Sequence, residues 1–168
     1  MILPGGIANF MENIMKYFVA LLFIFSLNTF SMDHKKLDPI IFQIDLSVLE
    51  GKEQAAKEFT YTISDNVKKN EPNTLIYQYY FSPDNKKVFL YEVYKNNNAA
   101  VFHVEQFQGS DWEKEFFEIF ELKDFQVLGN SEDSLKKVLD GFTNDYRTKE
   151  GGYHKVIEGL KSEILNLN

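Results

Sequence analysis

Two aromatic segments joined by a short polar turn constrain the fold of this chain more than any other feature of its sequence. Residues 74–81 and 88–94 are rich in Tyr, Phe, Leu and Val, and Ser82-Pro83-Asp84-Asn85-Lys86 lies between them. These residue types favour tight turns, so the segments are predicted to pair as an antiparallel β-hairpin. Successive side chains of a strand point to opposite faces of the sheet. In the first strand, one face carries Leu75, Tyr77, Tyr79 and Phe81, and the other carries Ile76, Gln78 and Tyr80. Because both faces are largely apolar, we expect both to be covered.

The segments before the hairpin predict a strand followed by a helix. Apolar residues alternate with polar ones from Pro39 to Leu49, which is the period of a strand with one buried face, and Gly51 ends it. From Lys52 to Asn70 the apolar residues recur every four positions and form one helical stripe: Ala55, Phe59, Ile63 and Val67. Thr60 and Thr62 are poor helix formers, so a strand here is the competing interpretation.

The segments after the hairpin predict two further helices and a strand. An Asn run at residues 96–98 can cap a helix beginning near Ala99, which Gly109 and Ser110 interrupt before it resumes with Trp112, Phe116, Phe117 and Phe120. Residues 125–128 form a short strand, and Ser131 is expected to cap a third helix. In the tail, a turn at residues 151–152 precedes a short strand at residues 153–156 and a last small helix at residues 157–164.

This order of elements corresponds to the ferredoxin-like βαββαβ arrangement, an α+β fold. The helices cover one face of its sheet and leave the aromatic other face open. A second copy of the same sheet is the simplest cover, so we predict a homodimer.

The N-terminal residues have the pattern of a signal peptide. Lys16 precedes the apolar run at residues 17–25, and polar residues follow it. This run is shorter than the roughly 20 residues that a membrane span requires. We therefore predict that residues 1–31 are a signal peptide cleaved after Ser31, with an uncleaved anchor as the alternative. Residues 1–10 fit no targeting pattern, so the true start is either Met11 or Met15, or the first residue. Cleavage predicts an exported protein, periplasmic or secreted, without a stable membrane span.

The composition excludes several classes of function. The net charge of −7 argues against binding to nucleic acid or to an anionic membrane, because both require a basic surface. The chain has no Cys, which excludes a thiol nucleophile, an iron–sulfur cluster and a lipid anchor on cysteine. None of the three His residues has metal-ligand spacing to another, so no metal or other cofactor is expected.

Three short motifs resemble the antibiotic biosynthesis monooxygenase domain family. They are Glu71-Pro72-Asn73-Thr74-Leu75-Ile76-Tyr77, then Val88-Phe89-Leu90-Tyr91-Glu92-Val93-Tyr94, then Ala99-Ala100-Val101-Phe102-His103. The family has Gly where this chain has Asn73, and Asn is the next most tolerant residue at positive φ. The resemblance implies a dimeric α+β barrel domain at residues 38–130, with residues 131–168 as a C-terminal extension packed on it. Members of the family include cofactor-independent monooxygenases of phenols and quinols, aldolase- or isomerase-like enzymes, haem-degrading proteins and proteins without known activity.

His103 and Glu92 are the candidate catalytic residues. We expect His103 to point from its helix toward the sheet, where a neutral imidazole can deprotonate a bound phenol or enediol. The alternative is a histidine whose ring is bonded to a backbone carbonyl. Glu92 lies in an apolar strand and could orient His103 or a substrate hydroxyl, or it could form a salt bridge with a lysine.

Four aromatic residues are candidates for binding a flat substrate: Tyr77, Tyr79, Phe107 and Trp112. The alternative is that they are ordinary core residues. The haem-degrading relatives have a ligand His about ten residues after the position of His103, and this chain has none in residues 112–116, so no haem is expected.

Two hypotheses for the function follow. The first is a cofactor-independent, monooxygenase-like enzyme acting on a small quinol, phenol or enediol in the cell envelope. The second is a non-catalytic exported dimer that binds a partner or serves as a scaffold. A well-formed apolar cavity between sheet and helices favours the enzyme, and a space filled by Phe and Tyr side chains favours the scaffold.

Overall fold

The computed structural model describes residues 38–153, which form five strands and four helices. The strands are β1 (Ile40–Val48), β2 (Thr74–Phe81), β3 (Lys87–Tyr94), β4 (Phe120–Leu128) and β5 (Asp145–Arg147). The helices are α1 (Glu53–Asn70), α2 (Asn97–Phe107), α3 (Asp111–Ile119) and α4 (Asp133–Val138). None of the helices in this part of the chain is long and apolar enough to cross a membrane.

The strands form one sheet in the order β2-β3-β1-β4-β5. The first four are antiparallel neighbours, and the short β5 adds to β4 in parallel. β1 therefore lies at the centre, between β3 and β4, although both of these strands are distant from it in sequence. This order, with helices following β1 and β3, is the predicted ferredoxin-like α+β fold, which is confirmed.

The residues of α1 form a helix in spite of their Thr content. Thr60 Oγ1 donates to the carbonyl oxygen of Lys57 at 2.8 Å, and Thr62 Oγ1 donates to that of Phe59 at 3.0 Å. Both hydroxyls bond backward onto their own helix, which is a known accommodation of Thr. The competing prediction of a strand at Thr60–Thr62 is therefore wrong.

Several boundaries differ from the predicted ones. A register shift between Thr74 and Ile76 turns Leu75 outward, where it is 48% exposed, so Leu75 does not share the inward face of Tyr77 and Tyr79. Phe120 begins β4 and does not end the preceding helix. The N-cap of α4 is Glu132, whereas Ser131 was expected in that position.

Two backbone conformations also bear on the predictions. Asn73, which occupies the family's Gly position, does not have a positive φ. Among the described non-glycine residues, a positive φ occurs at Asn85, with a value of 58° in the hairpin turn. Gly129 ends β4 with φ of 122°, and a Cβ there would lie 2.6 Å from the carbonyl oxygen of Pro39. Position 129 therefore requires Gly for two reasons: the backbone of Pro39 lies too close for a side chain, and the φ angle is positive.

The tail was predicted only in part. The strand β5 was not expected. Tyr153 is not in a strand, and the rest of the predicted strand at residues 153–156 lies outside the described residues, as does the last helix at 157–164.

The core lies between the helices and the inner face of the sheet. Phe42 and Tyr94 are fully buried on adjacent strands, and their rings meet edge to face with centroids 4.8 Å apart. Phe59 of α1 contacts Phe116 and Phe120 in the same way, at 6.0 Å each. These aromatic contacts pack α1 and α3 onto the sheet.

The outer face of the sheet carries no helix in the described part of the chain. Pairing aligns its outward side chains in rows across the strands, and the row nearest one end is apolar: Ile76, Val93, Ile41 and Leu128. The next row is formed by Gln78, Tyr91, Gln43 and Gln126. The third row ends in two acids: Tyr80, Phe89, Asp45 and Asp124.

Candidate functional site

The imidazole of His103 is held by a carboxylate from another element. Its Nδ1 atom lies 2.9 Å from Oε2 and 3.1 Å from Oε1 of Glu71. His103 is in the middle of α2, and Glu71 is the C-cap residue of α1, three positions before the start of β2. Both residues are buried. The Nδ1 atom therefore bonds to a carboxylate, and not to a backbone carbonyl as the alternative interpretation of His103 would have it.

Glu71 is itself fixed by the turn in which it lies. Its backbone N–H donates to the carbonyl of Val67, and its Oε2 accepts from Thr74 Oγ1 at 2.8 Å. Pro72 follows, which cannot continue a helix, so α1 must end here. The Glu71-Pro72 sequence that ends α1 therefore also holds the Glu71 carboxylate at the Nδ1 atom of His103.

The other ring nitrogen of His103 faces a second carboxylate. Nε2 lies 3.8 Å from Oε1 of Glu92, which is too long for a hydrogen bond but close enough for strong electrostatic coupling. Oε2 of Glu92 accepts from Tyr94 Oη at 2.5 Å. Glu92 is 2% exposed and comes from the inner face of β3, two residues before Tyr94. Its partners are therefore His103 and Tyr94, where a salt bridge with a lysine had been the alternative.

The surroundings of Glu92 and His103 raise the pKa of both side chains. Burial raises the pKa of Glu92, against the opposing effects of His103 and the Tyr94 hydroxyl. Burial alone would lower the pKa of His103, but Glu92 and Glu71 together outweigh it, so the pKa of His103 is raised. The two carboxylates make the imidazole a stronger base than a free histidine.

The tyrosines beside the group remain neutral. Burial raises the pKa of Tyr77, Tyr79 and Tyr94. The hydroxyls of Tyr77 and Tyr79 lie 3.0 Å apart and share a hydrogen bond, and the Tyr77 ring centroid is 5.6 Å from that of His103. These tyrosines therefore act as hydrogen-bonding and packing groups.

An apolar cavity of about 70 Å³ opens at the imidazole. Its polar end is formed by Glu92 and His103, with Tyr77 and Gln108 nearby. The remaining walls are apolar and come mainly from strands β1, β3 and β4 and helices α2 and α3: Phe42, Ile44, Leu90, Val104, Phe107, Phe116, Phe117, Leu122 and Phe125. The cavity is thus an apolar space with its ionisable groups at one place, as expected of a ligand site.

Two residues after α4 complete the wall. Leu139 and Phe142 line the cavity, and the Phe142 ring stacks on that of Phe117 with centroids 6.5 Å apart. Gln108 Nε2 donates to the carbonyl of Val138 at 2.7 Å, which ties this segment to the end of α2. The cavity therefore depends on residues beyond the region of family resemblance.

The structure brings together most of the predicted site residues. His103, Glu92, Tyr77 and Phe107 all line the cavity. Tyr79 does not line it but bonds to Tyr77. Trp112 lies elsewhere, with its ring against Phe59 at 5.9 Å, and packs in the core as the alternative interpretation had it. Their roles in binding or catalysis remain predictions.

Glu71 was missed as a site residue. It appears in the Glu71-Pro72 motif, but nothing in the sequence pairs it with His103, which is 32 positions later. The available signal was an acidic residue directly after a helix, where a positive charge is usually preferred. Among the described residues, no group of three His, Cys, Asp or Glu side chains could hold a metal ion.

A second cleft, with a volume of about 410 Å³, has Glu71 in its lining. It is formed where α1 turns into β2 and where β3 turns into α2, and its lining includes Glu71, Asn73, Asn96, Asn98 and Phe102. Neither His103 nor Glu92 lines this cleft, and Glu71 does not line the apolar cavity.

Comparison with known proteins finds solved structures of similar fold. No protein-family model matches the sequence, and no curated protein matches it. Among solved structures, MupZ from Pseudomonas fluorescens is similar with a TM-score of 0.62 and 18% identity, over 70% of this chain and 94% of MupZ. A protein of Nitrosomonas europaea described as a candidate antibiotic biosynthesis monooxygenase matches with a TM-score of 0.47 and 21% identity, over 57% of this chain and 91% of that one. A protein of Caulobacter crescentus with the same description matches with a TM-score of 0.46 and 20% identity, over 57% and 92%.

These similarities concern the fold. The match to MupZ shows a similar fold, and the strand order identifies it as a ferredoxin-like α+β domain.

Proposed function

We propose that this protein is an acid–base enzyme of the monooxygenase-like class that acts on a small, neutral phenol, quinol or enediol. The observation that carries the proposal is the position of His103 between Glu71 and Glu92 at the polar end of an apolar cavity. This is the arrangement of a base oriented by a carboxylate, with its second nitrogen toward Glu92 at a ligand space that both residues line.

In this proposal His103 Nε2 accepts the proton of a substrate hydroxyl. Glu71 holds the Nδ1–H, which keeps the lone pair on the nitrogen that faces the cavity. The raised pKa of His103 brings it closer to that of a phenol, about 10 for tyrosine, and so reduces the cost of the transfer. The anion formed lies beside the imidazolium and is stabilised by it.

The anion is electron-rich and can react with molecular oxygen. For a phenol, one oxygen atom enters the ring and the other leaves as water, so that phenol and O₂ give a quinone and water. O₂ is the oxidant in this step. An enediol anion can instead be reprotonated at carbon by the imidazolium, which is an isomerisation and requires no oxidant.

The charge of the site restricts the substrate. None of the described residues that line the cavity is Lys or Arg, and Glu92 is among them. A substrate carboxylate or phosphate would therefore meet like charge without a cation to pair with. A neutral ring or short chain with a hydroxyl at one end fits the arrangement of one polar end and apolar walls.

We further propose a homodimer formed through the outer face of the sheet. Supporting this are the apolar row that contains Ile41 and the aromatic residues Tyr80, Phe89 and Tyr91 in the two rows beside it. Polar groups mixed among them are typical of interfaces between folded subunits.

Export of the protein stays a proposal based on the N-terminal sequence. The basic residue Lys16 and the short apolar run at residues 17–25 support it. N-terminal sequencing of the protein isolated from its native cells tests it, because a mature chain that begins near Met32 is expected.

A non-catalytic role is the second candidate. It is favoured by the volume of the cavity, about 70 Å³, which is below the ~150 Å³ of an engineered cavity that binds benzene. An aromatic ring would require Phe142 or Phe117 to move. A binding or scaffold protein would not require this movement.

Oxygen consumption tests the proposed enzyme. The full chain, dialysed against a chelator, is mixed with a panel of phenols and quinols, and His103→Ala and the core variant Trp112→Phe are measured in parallel. Uptake that is lost in His103→Ala and kept in Trp112→Phe supports the proposal. A parallel anaerobic assay in D₂O detects deuterium incorporation at carbon in the hydroxycarbonyl products of enediols. Turnover that is equal in His103→Ala would exclude His103 as the base, and no turnover in either assay favours the non-catalytic role.

A further inference from the structure

The apolar cavity and the polar cleft are separated by a chain of buried groups that can carry a proton. Glu92 and His103 line the cavity, and Glu71 lines the cleft. His103 bonds to Glu71 through Nδ1 at 2.9 Å and approaches Glu92 through Nε2 at 3.8 Å. The imidazole therefore connects the two spaces through its opposite nitrogens.

The two spaces differ in how well they can hold water. The walls of the cavity are almost entirely Phe, Leu, Ile and Val, and Phe117 and Phe142 stack on each other in its wall. The cleft is larger, and its lining combines the polar side chains of Asn73, Thr74, Asn96 and Asn98 with the apolar Pro72, Ala99 and Phe102. Water is hydrogen-bonded readily in such a cleft and poorly in an apolar cavity.

We propose that Glu71 is the proton outlet of this site, and that protons leave His103 through Glu71 into the polar cleft and not through the cavity. The proposal rests on the proposed acid–base function. Glu71 acts here through His103 and is a positioning and relay residue, since it does not contact the cavity.

The transfer balances as two steps around the imidazole. Nε2 gains a proton from the substrate oxygen, and Nδ1 loses a proton to a carboxylate oxygen of Glu71, so the ring changes tautomer and returns to neutral. Glu71 then releases the proton to water in the cleft. The proton returns by the same path: Glu71 takes up a proton from the cleft and passes it to Nδ1, and Nε2 gives its proton to the reduced oxygen that leaves as water, so the ring regains its first tautomer. A substrate that fills the cavity excludes water there, and this path lets the imidazole exchange protons with water while the cavity is occupied.

Exchange of the His103 ring proton with water measures the path directly. The full chain is labelled with ¹⁵N-histidine, and the His103 signals are assigned by their loss in His103→Gln. Exchange is compared in Glu71→Gln and Glu92→Gln, each at a pH where the ring has the same protonation state. Both variants remove one carboxylate beside the same ring, so Glu92→Gln is the matched control.

A severalfold slower exchange in Glu71→Gln, with little change in Glu92→Gln, is the expected result, because an amide accepts the hydrogen bond but cannot relay the proton. Slowing in Glu92→Gln alone, or equal slowing in both variants, would overturn the proposal.

A second pair of variants changes exposed residues of α2 and leaves the buried Glu71 in place. Asn98 is exposed at the start of α2 and lines the cleft, and Gln106 is exposed near the end of the same helix outside it. Asn98→Phe should slow exchange, and Gln106→Phe should not. Faster exchange in Phe117→Ala, which opens the cavity, together with no effect of Asn98→Phe, would place the outlet at the cavity.

These measurements do not depend on turnover. If no phenol or enediol is converted, the proposed function fails and the exchange rates still decide the outlet. If turnover is found and exchange is insensitive to Glu71→Gln, the outlet fails and the function stands.

Discussion

The Nδ1 atom of His103 lies 2.9 Å from the carboxylate of Glu71, a residue that ends α1 and is 32 positions earlier in the chain. Both side chains are buried, and the other ring nitrogen is coupled to Glu92. This contact joins the end of α1 to the middle of α2. It makes stability and the chemistry of the site depend on the same pair.

Removing the Glu71 carboxylate should destabilise the fold. Glu71→Ala leaves the imidazole of His103 buried without its partner on Nδ1, and breaking such a pair costs about 3 kcal/mol. Urea denaturation gives the free energy of unfolding. The control is Glu121→Ala, which removes an exposed acid paired with Lys123 and should cost less than about 1 kcal/mol. Equal, small losses in both variants would contradict the structural importance of the Glu71–His103 pair.

Stability should fall as the pH rises through the neutral range. The folded protein holds protons on His103 and Glu92 more tightly than the unfolded chain does, because both pKa values are raised. Their contribution is fully present below their ordinary pKa values, 6.5 for His103 and 4.5 for Glu92, and is lost as the pH rises through the folded values. Urea denaturation at a series of pH values above 4.5 measures this.

His103→Gln is the control for that pH dependence. The groups that face this ring are Glu71, Glu92, Tyr77 and Tyr94. Without a titratable ring, the decrease in stability above pH 6.5 should be smaller than in the wild type. The same slope in both proteins would show that other groups cause it.

Shortening Phe142 should widen the cavity and change which ligands bind. Phe142 is half-buried and forms part of the wall together with Phe117. We expect Phe142→Ala to bind 1-naphthol more tightly than the wild type does, while the affinity for phenol changes less. NMR chemical-shift titrations of the full chain measure both affinities. Tyr61→Ala, at a 76% exposed residue of α1, is the control and should leave them unchanged. A loss of binding for both ligands would show that Phe142 is needed for a well-formed site.

A charge on the outer face of the sheet should prevent dimerisation. Ile41 lies on the central strand β1 between Val93 and Leu128, so Ile41→Lys places a lysine in the apolar row of each proposed subunit. Burial of these charges is unfavourable, and the molar mass measured by light scattering should fall from that of a dimer to that of a monomer. Tyr61→Lys on α1 should remain dimeric. A monomeric wild type would refute the proposed dimer itself.

Local patterns in the sequence were enough for most of the secondary structure. The period of α1, the turn between β2 and β3, and the capping of α2 by Asn96, whose side chain accepts from the N–H of Ala99, all depend on residues close in the chain. Their order then determined the ferredoxin-like fold, because few topologies accommodate it. The candidates His103, Glu92, Tyr77 and Phe107 were found because aromatic and ionisable residues stand out in apolar segments.

Contacts between distant residues could not be predicted in this way. The pairing of Glu71 with His103 requires the end of α1 and the middle of α2 to meet over the sheet, and no local pattern encodes that distance. The same holds for β5, which is three residues long and is defined by its neighbour β4, and for Leu139 and Phe142 in the cavity wall. The sequence by itself determined the elements and their order, since these follow from short-range periodicity. Only the tertiary structure decided which buried groups share protons and which side chains enclose the cavity, because both depend on packing across the whole domain.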